Sequence, residues 1–336
     1  MIQAAIHTLV EKSDLTKQET YDVIVEIMSG KSSEIMISSF LTALRMKGEI
    51  VPEISGAALA MREMSTKIRT KHEHVIDTCG TGGDGLGTFN ISTASALVAA
   101  SAGAIVAKHG NRAVSSKCGS ADVLKALGVN IEIPKEKVEH CLDEIGIAFL
   151  FAPMLHGAMK YAAPIRRELG MRTIFNVLGP LTNPAGAKRQ VMGVFRRGLT
   201  DILANVLLDL GTERALIVHG NGGMDEISTI GETRISEIKD GKVNTYLFQL
   251  DSVGIPAANI SDLAGGGTDE NMRIIESIVR GEKGAPRDIV ILNAGAAIYV
   301  AGIAESVKEG VGIAANAIDS GAAEKKLNDL IEFTNA

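Results

Sequence analysis

The residues best suited to chemistry lie in a glycine-rich stretch, Cys79–Thr93. Five glycines occur between Gly80 and Gly87, and hydroxyl and amide side chains follow before an apolar, alanine-rich segment. Glycine lets the backbone approach a ligand and adopt positive φ, so successive N–H groups can point at one anion. Ser92 and Thr93 are expected to open a helix whose unpaired N–H groups favour negative charge. The stretch therefore predicts a phosphate-binding loop.

Glycine-rich loops also occur in dinucleotide-binding motifs and in Walker loops. The glycines at 80, 82 and 85 match the dinucleotide motif G-x-G-x-x-G between a predicted strand and a predicted helix. The acidic residue that binds ribose is expected about 20 residues further on, but Lys108 stands there. A Walker loop is excluded because G-x-x-x-x-G-K-[ST] does not occur. A tight strand-to-helix turn without a ligand stays open.

A second cluster, Lys108–Ser120, is basic. It holds three cations, one histidine, one amide and three hydroxyls within thirteen residues, just before a predicted helix. Cationic and hydroxyl groups at a helix start are what a phosphate ester requires. The alternative is a solvated basic loop.

A third cluster is the acidic pair Asp225-Glu226, which follows Asn221-Gly222-Gly223. Carboxylate oxygens suit Mg²⁺, which often bridges to substrate phosphates. Asp84, inside the glycine loop, would repel a phosphate unless a cation or a hydroxyl contact intervenes. The pair is therefore interpreted as a metal site, with a solvated surface pair as the alternative.

Arginine and histidine side chains offer further candidates. Arg166-Arg167 lies on a predicted helix, 156–170, and arginine suits bidentate binding of a carboxylate. Such pairs are commonly solvated. His109 and His156 are acid–base candidates, although the sequence shows no orienting partner for either, and a structural role stays open.

The elements that must position these clusters fall into two parts. Residues 1–71 have helical periodicity, with a capping box at Thr16 to Glu19, a stop at Gly30 and a helix start at Pro52, which predicts four short helices. Residues 72–336 alternate short apolar runs with helical segments, which predicts an α/β domain with a mostly parallel central sheet. A hairpin with Asp240-Gly241 at its turn is predicted within 233–248 as an antiparallel addition.

The predicted strands are Val75–Asp77, Ala104–Ala107, Ala148–Phe151, Val191–Phe195, Arg214–His219 and Asp288–Leu292. The predicted helices between them are Ser92–Ala102, Ser120–Leu127, Lys135–Ile145, Leu199–Leu210 and Asn271–Arg280. In open α/β sheets ligands bind beyond the carboxyl ends of the strands. The glycine loop, the basic cluster and the acidic pair each follow a predicted strand, so we expect all three at one edge of the sheet.

Composition narrows the function class. The chain has 336 residues and a formal net charge of −6 with no long basic run, which argues against a nucleic-acid-binding surface. No run approaches the roughly 18 to 20 apolar residues that span a membrane, and the first residues lack the pattern of a signal peptide. Cys79, Cys118 and Cys141 form no C-x-x-C pair, so we expect reduced thiols in a cytoplasmic protein.

Taken together, the motifs resemble the anthranilate phosphoribosyltransferase family over essentially the whole chain. The resemblance rests on residues 80–85, 88–93, 108–112, 115–122, 176–184 and 223–227. It implies Mg²⁺-dependent transfer of the phosphoribosyl group of phosphoribosyl pyrophosphate (PRPP) to anthranilate, a step of tryptophan biosynthesis. It also implies a helical domain, an α/β domain shared with pyrimidine nucleoside phosphorylases, and a homodimer.

The resemblance carries roles onto matching residues of this sequence. It implies that PRPP is bound by Gly80, Gly83, Asp84, Thr88, Asn90, Ile91, Ser92, Thr93, Lys108, His109, Gly110, Asn111, Arg112, Ala113, Val114, Ser115, Ser116 and Ser120. It implies that anthranilate meets Gly80, Asn111 and Arg166. It implies that Ser92, Asp225 and Glu226 hold Mg²⁺, with two ions per monomer. His109 is a candidate general base, and no stronger one is visible.

Two positions depart from the family pattern. Ala113 and Cys118 stand where serines are expected, which removes two hydroxyls from the basic cluster but leaves Ser115, Ser116 and Ser120. Two rival functions stay open. One is a pyrimidine nucleoside phosphorylase, whose signature segment is not recognisable, and the other is a non-catalytic phosphosugar-binding module.

Overall fold

The chain begins with a bundle of four helices. The structure, a computed structural model, describes residues 1–113 and 117–336. The helices are α1 Ile2–Val10, α2 Lys17–Met28, α3 Glu34–Lys47 and α4 Val51–Met64. The capping box is confirmed: the Glu19 N–H donates to Thr16 Oγ1 at 3.2 Å, and the Thr16 N–H donates to the Glu19 carboxylate at 2.8 Å. Four helices were expected here, and the described residues form four.

A central sheet follows the bundle. Its strands are β1 Val75–Gly80, β2 Ile105–Gly110, β3 Ile147–Phe151, β4 Arg189–Gly193, β5 Arg214–Gly220, β6 Thr233–Lys239 and β7 Lys242–Phe248. Among the described residues they make a seven-stranded sheet in the order β3-β2-β1-β4-β5-β6-β7. Neighbours from β3 to β5 pair in parallel, and β5, β6 and β7 pair antiparallel. The predicted fold class is confirmed.

The hairpin between β6 and β7 turns where the sequence predicts. Asp240 has φ of 52° and Gly241 has φ of 71°. Two successive residues with positive φ match the twist of a two-residue hairpin turn, which is why Asp-Gly is favoured there.

Helices cover both faces of the sheet. They are α5 Ile91–Ser101, α6 Ser120–Ala126, α7 Lys135–Ile145, α8 Ala152–Leu155, α9 Ala163–Leu169, α10 Phe175–Leu178, α11 Leu199–Asp209, α12 Thr268–Val279, α13 Ala285–Ala301, α14 Val307–Asp319 and α15 Ala322–Asn335. Short 3-10 helices occur at Gly157–Tyr161, Gly179–Leu181, Asn221–Gly223, Leu250–Val253 and Ile260–Leu263. No helix of the described residues is long and apolar enough to cross a membrane.

Two predicted elements are wrong. Asp288–Leu292, expected as a strand, lies inside α13, which begins with Pro286 in its first turn and ends at Gly302 with φ of 85°. This helix is buried on most of its surface, so its apolar run lacks the polar stripe that would mark a helix. The single helix expected over 156–170 is instead a 3-10 turn followed by the separate helix α9.

Two apolar cores lie on opposite faces of the sheet. One packs α5, α13, α14 and α15 against the sheet. The other joins the four N-terminal helices to α11 and to residues such as Ile165 and Phe175 from the segment before β4. Helix α9 also contacts α3. The N-terminal bundle therefore shares a core with the part of the chain that precedes β4.

The order of the strands reverses at β1, which creates a switch point in the sheet. The chain runs outward from β1 to β2 and β3, then returns to the other side of β1 as β4. Ligand sites of open α/β sheets lie outside the carboxyl ends of the strands at such a point. The glycine loop follows β1 there.

Candidate functional site

The glycine loop and the acidic pair are in direct contact. The Gly82 N–H donates to Asp225 Oδ2 at 2.8 Å. A Cβ on Gly80 would lie 2.5 Å from the same oxygen, and a Cβ on Gly193 of β4 would collide with the Asp225 main chain. Glycine is thus required at Gly193, where the Asp225 main chain passes close to β4, and at Gly80 it leaves room for the Asp225 carboxylate. The predicted meeting of these two clusters is confirmed.

The helix after the loop begins one residue earlier than expected. Asn90 precedes the first turn of α5, Ile91 begins it, and the Asn90 side chain does not cap the helix. The Asn90 side chain instead donates to the Cys118 carbonyl at 3.2 Å and accepts from Asn271 at 3.0 Å. Thr93 is buried in the helix. The first N–H groups of α5, expected to be unpaired, already have acceptors: the Phe89 carbonyl for Ile91 at 2.7 Å, the Glu226 carboxylate for Ser92, and the Asn90 carbonyl for Thr93 at 3.1 Å.

Lys108 joins the basic cluster to the start of α5. Its side chain is buried, and Nζ donates to the Thr78 carbonyl at 2.6 Å and to Ser92 Oγ at 3.4 Å. Burial lowers the pKa of Lys108, and the carboxylates of Asp77 and Glu226 oppose that fall. All three predicted clusters meet at this lysine.

Three carboxylates crowd the same place. Burial, followed by the charge of the nearby Asp84 carboxylate, raises the pKa of Asp225 to about 7. Burial, followed by the charge of Asp225, raises the pKa of Glu226 well above its ordinary value. One oxygen of Asp84 accepts from the Leu86 N–H at 3.1 Å, whereas Oδ2 is buried with no hydrogen-bond partner. These carboxylates repel one another and leave an oxygen unpaired.

The donor set fits a magnesium ion shared with a ligand. The Ser92 N–H donates to the Glu226 carboxylate, so Ser92, Asp225 and Glu226 lie around one position. In the described parts of the chain, 1–113 and 117–336, no three His, Cys, Asp or Glu side chains form a ready metal cluster. Magnesium is commonly held by one or two carboxylates together with waters and substrate phosphates. A cation would satisfy the free Asp84 oxygen and relieve the crowding.

A buried histidine pair lies on the other side of β2. Nε2 of His109 is 3.2 Å from Nε2 of His156, and the ring centroids are 5.0 Å apart. Backbone carbonyls hold the rings, that of Gly179 for His109 and that of Thr182 for His156. Burial lowers the pKa of His109 to about 3 and that of His156 to about 4, so both rings are neutral at pH 7.

The hydrogen bonds of this pair require more protons than two neutral rings carry. Two carbonyls each accept from a ring N–H, and the Nε2 contact needs a proton between the rings, whereas each neutral imidazole has only one N–H. The pair is therefore one proton short of satisfying every contact. Burial nevertheless disfavours the charged form, so the Nε2–Nε2 contact stays without a proton at pH 7.

The remaining predicted residues of the basic cluster contact different parts of the protein. Gly110 lies against Ser120, whose hydroxyl donates to the Asn111 carbonyl at 3.2 Å. The Arg112 guanidinium pairs with Glu132 at 2.9 Å on the surface, and the Ala113 N–H donates to Asp122 at 3.0 Å. Val114, Ser115 and Ser116 lie outside the described residues. Thr88, expected at the donor site, forms a β-bridge with Ala264.

The two adjacent arginines differ in their surroundings. Arg166 is half-buried, its guanidinium lies 5.3 Å from the Phe175 ring centroid, and burial lowers its pKa. Arg167 is exposed. Of the two, only Arg166 has the low-dielectric surroundings that strengthen binding of a carboxylate.

Sequence reasoning missed two contributions. Arg172 donates to the Gly83 carbonyl, and its guanidinium lies 3.8 Å from the Phe195 ring centroid, which ties the glycine loop to the segment before β4. His156 pairs with His109, although the sequence shows no orienting partner for either ring. Neither has a local sequence signal, because each partner is far away along the chain.

Comparison with known proteins identifies the families that the two parts of this chain resemble. Residues 72–324 match the family model described as "Glycosyl transferase family, a/b domain", and residues 3–65 match "Glycosyl transferase family, helical bundle domain". The chain is 53% identical to an anthranilate phosphoribosyltransferase of Acetivibrio thermocellus, covering 100% of this chain and 97% of the relative.

Solved structures give the same result. The fold is similar to anthranilate phosphoribosyltransferase from Thermus thermophilus, with a TM-score of 0.94, 44% identity and 99% coverage of both chains. It is also similar to the Saccharomyces cerevisiae enzyme in complex with PRPP and Mg, with a TM-score of 0.91, 28% identity, and coverage of 99% of this chain and 98% of that one. The chain belongs to the anthranilate phosphoribosyltransferase family.

Proposed function

We propose that this protein transfers the phosphoribosyl group of PRPP to the amine of anthranilate and releases pyrophosphate. The observation that carries the proposal is the convergence of the glycine loop, Lys108 and the Asp225-Glu226 pair at the switch point of the sheet. An anionic ligand with a divalent cation satisfies the otherwise unpaired groups of that site. Full-length similarity to enzymes with this name supports the choice of substrates.

On the donor side, we assign the diphosphate to the glycine loop and the first turn of α5. Loop N–H groups and the Lys108 ammonium would stabilise negative charge on the departing diphosphate. Ser92, Asp225 and Glu226 would hold Mg²⁺, with two ions per monomer as the proposed number. When bound, Mg²⁺ supplies positive charge that neutralises the diphosphate.

The other donor contacts are carried over from the resemblance to the family. We propose that Gly80, Gly83, Asp84, Thr88, Asn90, Ile91, Thr93, His109, Gly110, Asn111, Arg112, Ala113, Val114, Ser115, Ser116 and Ser120 complete the PRPP site. For Thr93 the side chain is buried in the helix, and its N–H, which donates to the Asn90 carbonyl at 3.1 Å, would have to be shared with the ligand. Arg112 would have to leave Glu132 before it could contact PRPP.

On the acceptor side, we assign the anthranilate carboxylate to Arg166, with Gly80 and Asn111 beside the amine. The C1–oxygen bond to pyrophosphate breaks as the nitrogen–C1 bond forms, and one amine proton must then leave. His109 is the candidate acceptor for that proton because its ring is neutral at pH 7. The amine of anthranilate is itself uncharged at neutral pH, so positioning supplies much of the catalysis.

We further propose a helical domain at 1–71, an α/β domain at 72–336, a homodimer and a cytoplasmic location. The last is supported by the cysteines, none of which forms a disulfide. Light scattering coupled to gel filtration would measure the mass; a mass equal to one chain at micromolar concentration would contradict the dimer.

The function is tested with the purified protein, Mg²⁺, PRPP and anthranilate. We expect anthranilate fluorescence to fall, and to stay constant when PRPP is omitted or when EDTA is added. Constant fluorescence in the complete mixture would contradict the proposal. In that case phosphorolysis of uridine or thymidine would indicate a nucleoside phosphorylase, and saturable PRPP binding without turnover would indicate a binding module.

A further inference from the structure

A buried polar network lies beneath the histidine pair. Asp77 of β1 is fully buried, and its carboxylate accepts from the His109 main-chain N–H at 3.1 Å and from Asn183 Nδ2 at 2.8 Å. Asn183 Nδ2 also donates to the Ala107 carbonyl at 2.8 Å, and its Oδ1 accepts from the Ala185 N–H at 2.9 Å. The network therefore joins β1, the end of β2 and the segment that precedes β4.

A second anchor acts on the same segment. Gln190 of β4 is buried, and its Nε2 donates to the Pro180 carbonyl at 2.7 Å. The segment between these anchors, 179–183, supplies the carbonyls of Gly179 and Thr182 that hold the two histidine rings. Asn183 and Gln190 thus fix the backbone that orients the rings.

The directions of the β2 side chains show on which face of the sheet this network lies. Successive side chains of a strand point to opposite faces of a sheet. Lys108 points toward Ser92 and the glycine loop, whereas His109 points toward His156 and the 179–183 segment. The network therefore lies on the His109 face of β2, opposite the face that carries Lys108.

We propose that Asp77 is a positioning residue for the His109–His156 pair. It holds the His109 main chain directly and, through Asn183, holds the 179–183 segment whose carbonyls orient both rings. The kinetic part of this inference rests on the proposed transferase function; the geometric part does not.

The chemistry of the contact requires a carboxylate. Asn183 presents Nδ2 to Asp77 because its Oδ1 is used by Ala185. An amide at position 77 could accept from His109, but its own NH₂ would then face the NH₂ of Asn183, two donors with no acceptor between them. Asn183 could rotate only by giving up its bonds to Ala107 and Ala185. Asp77→Asn is therefore nearly isosteric yet should displace the segment.

The chain offers a matched control for this substitution. Glu53 is also a fully buried carboxylate that accepts main-chain N–H groups, those of Leu15 and Ile50, both at 3.0 Å. It lies in the helical bundle, away from the histidine pair. Glu53→Gln makes the same carboxylate-to-amide change without touching the 179–183 segment, and it also removes an ion pair with Lys47 at 2.9 Å.

The experiment compares Asp77→Asn, Gln190→Met and Glu53→Gln with the unchanged protein. Nitrogen-15 NMR of the histidine side chains reports ring tautomers, and initial rates report kcat and both KM values. For Asp77→Asn we expect altered tautomer signals for His109 and His156, and kcat lowered by about 10- to 100-fold, since small misplacements cost up to roughly that factor. The KM for anthranilate should rise more than the KM for PRPP. Gln190→Met should shift the same signals less, and Glu53→Gln should lower the melting temperature only.

Unchanged histidine signals and kinetics in folded Asp77→Asn would overturn the proposal and leave Asp77 a purely structural residue. An equal loss of kcat in Glu53→Gln would overturn it too. If Asp77→Asn does not fold, unchanged signals in Gln190→Met decide against it. Absence of turnover in the unchanged protein would refute the proposed function, while the NMR comparison would still decide the positioning role.

Discussion

The two faces of β2 at its carboxyl end differ in how completely the protein satisfies its own polar groups. On the Lys108 face, three carboxylates crowd together, one Asp84 oxygen has no partner, and the pKa values of Asp225 and Glu226 are raised by burial. On the His109 face, Asp77 has a donor on each oxygen, and backbone carbonyls hold both histidine rings.

This difference distinguishes a face that needs a ligand from one that is largely preorganised. Buried charges are stable only when they are paired or hydrogen-bonded. The Lys108 face reaches that condition only with a cation and an anion bound, whereas the His109 face is short of only one proton. We therefore expect substitutions on the Lys108 face to lower activity without lowering stability. Substitutions on the His109 face should lower stability as well.

The sharpest test replaces Asp225 and Glu226 together with Asn and Gln. Activity should fall by about 10³-fold or more, because metal-assisted stabilisation of the leaving diphosphate is lost. Without Mg²⁺ the melting temperature should stay the same or rise, since two crowded carboxylates become neutral amides. Anthranilate fluorescence and a thermal melt in EDTA measure the two quantities.

Asp77→Asn provides the contrast for this pair, because it should lower the melting temperature. If the Asp225 and Glu226 variant were the less stable of the two in EDTA, the distinction between the faces would be wrong. Full activity in that variant would remove both residues from the metal site.

Replacement of Arg166 with Ala tests the acceptor half. Hydrogen bonds to charged groups contribute about 1.5–3 kcal/mol each, so the KM for anthranilate should rise by roughly 10- to 100-fold while the KM for PRPP changes little. The adjacent, exposed Arg167 is the matched control, and Arg167→Ala should leave both KM values unchanged. Equal increases in the two KM values would exclude Arg166 from the acceptor site.

Gly83→Ala tests the glycine loop with a smaller expected effect. Gly83 has φ of 76°, and a Cβ there would lie 3.1 Å from Arg172 Nη2. An L residue in this region costs about 1–2 kcal/mol, so the KM for PRPP should rise by roughly 5- to 30-fold. Gly211, with φ of 83° and open space where a Cβ would stand, is the control for backbone strain alone. Should Gly211→Ala raise the KM for PRPP as much, the effect would not belong to the loop.

Much of the fold follows from local patterns in the sequence. Short apolar runs between helical segments predicted β1 to β5, and Asp240-Gly241 predicted the hairpin. The pattern failed at Asp288–Leu292 because α13 is surrounded by other elements; Gly295 and Gly310 let α13 and α14 approach so closely that a Cβ on either would collide. An apolar run does not reveal whether it is covered as a strand or as a helix.

The sequence predicts only the part of the candidate site that follows from the order of the parallel strands. Residues that follow parallel strands meet at one edge, so the convergence of Gly82, Lys108 and Asp225 could be expected from order along the chain alone. The partners of His109 could not, because His156, Asp77 and Asn183 reach it through tertiary contacts between distant segments. No spacing rule connects such segments.

The smallest predicted effect concerns acid stability on the His109 face. Burial lowers the pKa of His109 to about 3 and that of His156 to about 4, whereas unfolded histidines titrate near about 6.5. Between these values the unfolded chain binds protons that the folded chain does not, so the stability present above pH 6.5 is lost as the pH falls toward 4. The slope of the unfolding free energy against pH gives the difference in bound protons between the unfolded and folded chains. Replacing both residues with Gln should reduce that difference by up to about two protons. Exposed His140→Gln is the control. An unchanged slope in the double variant would mean that the pair takes up protons while folded, which would contradict the lowered pKa values of the two histidines on this face of β2.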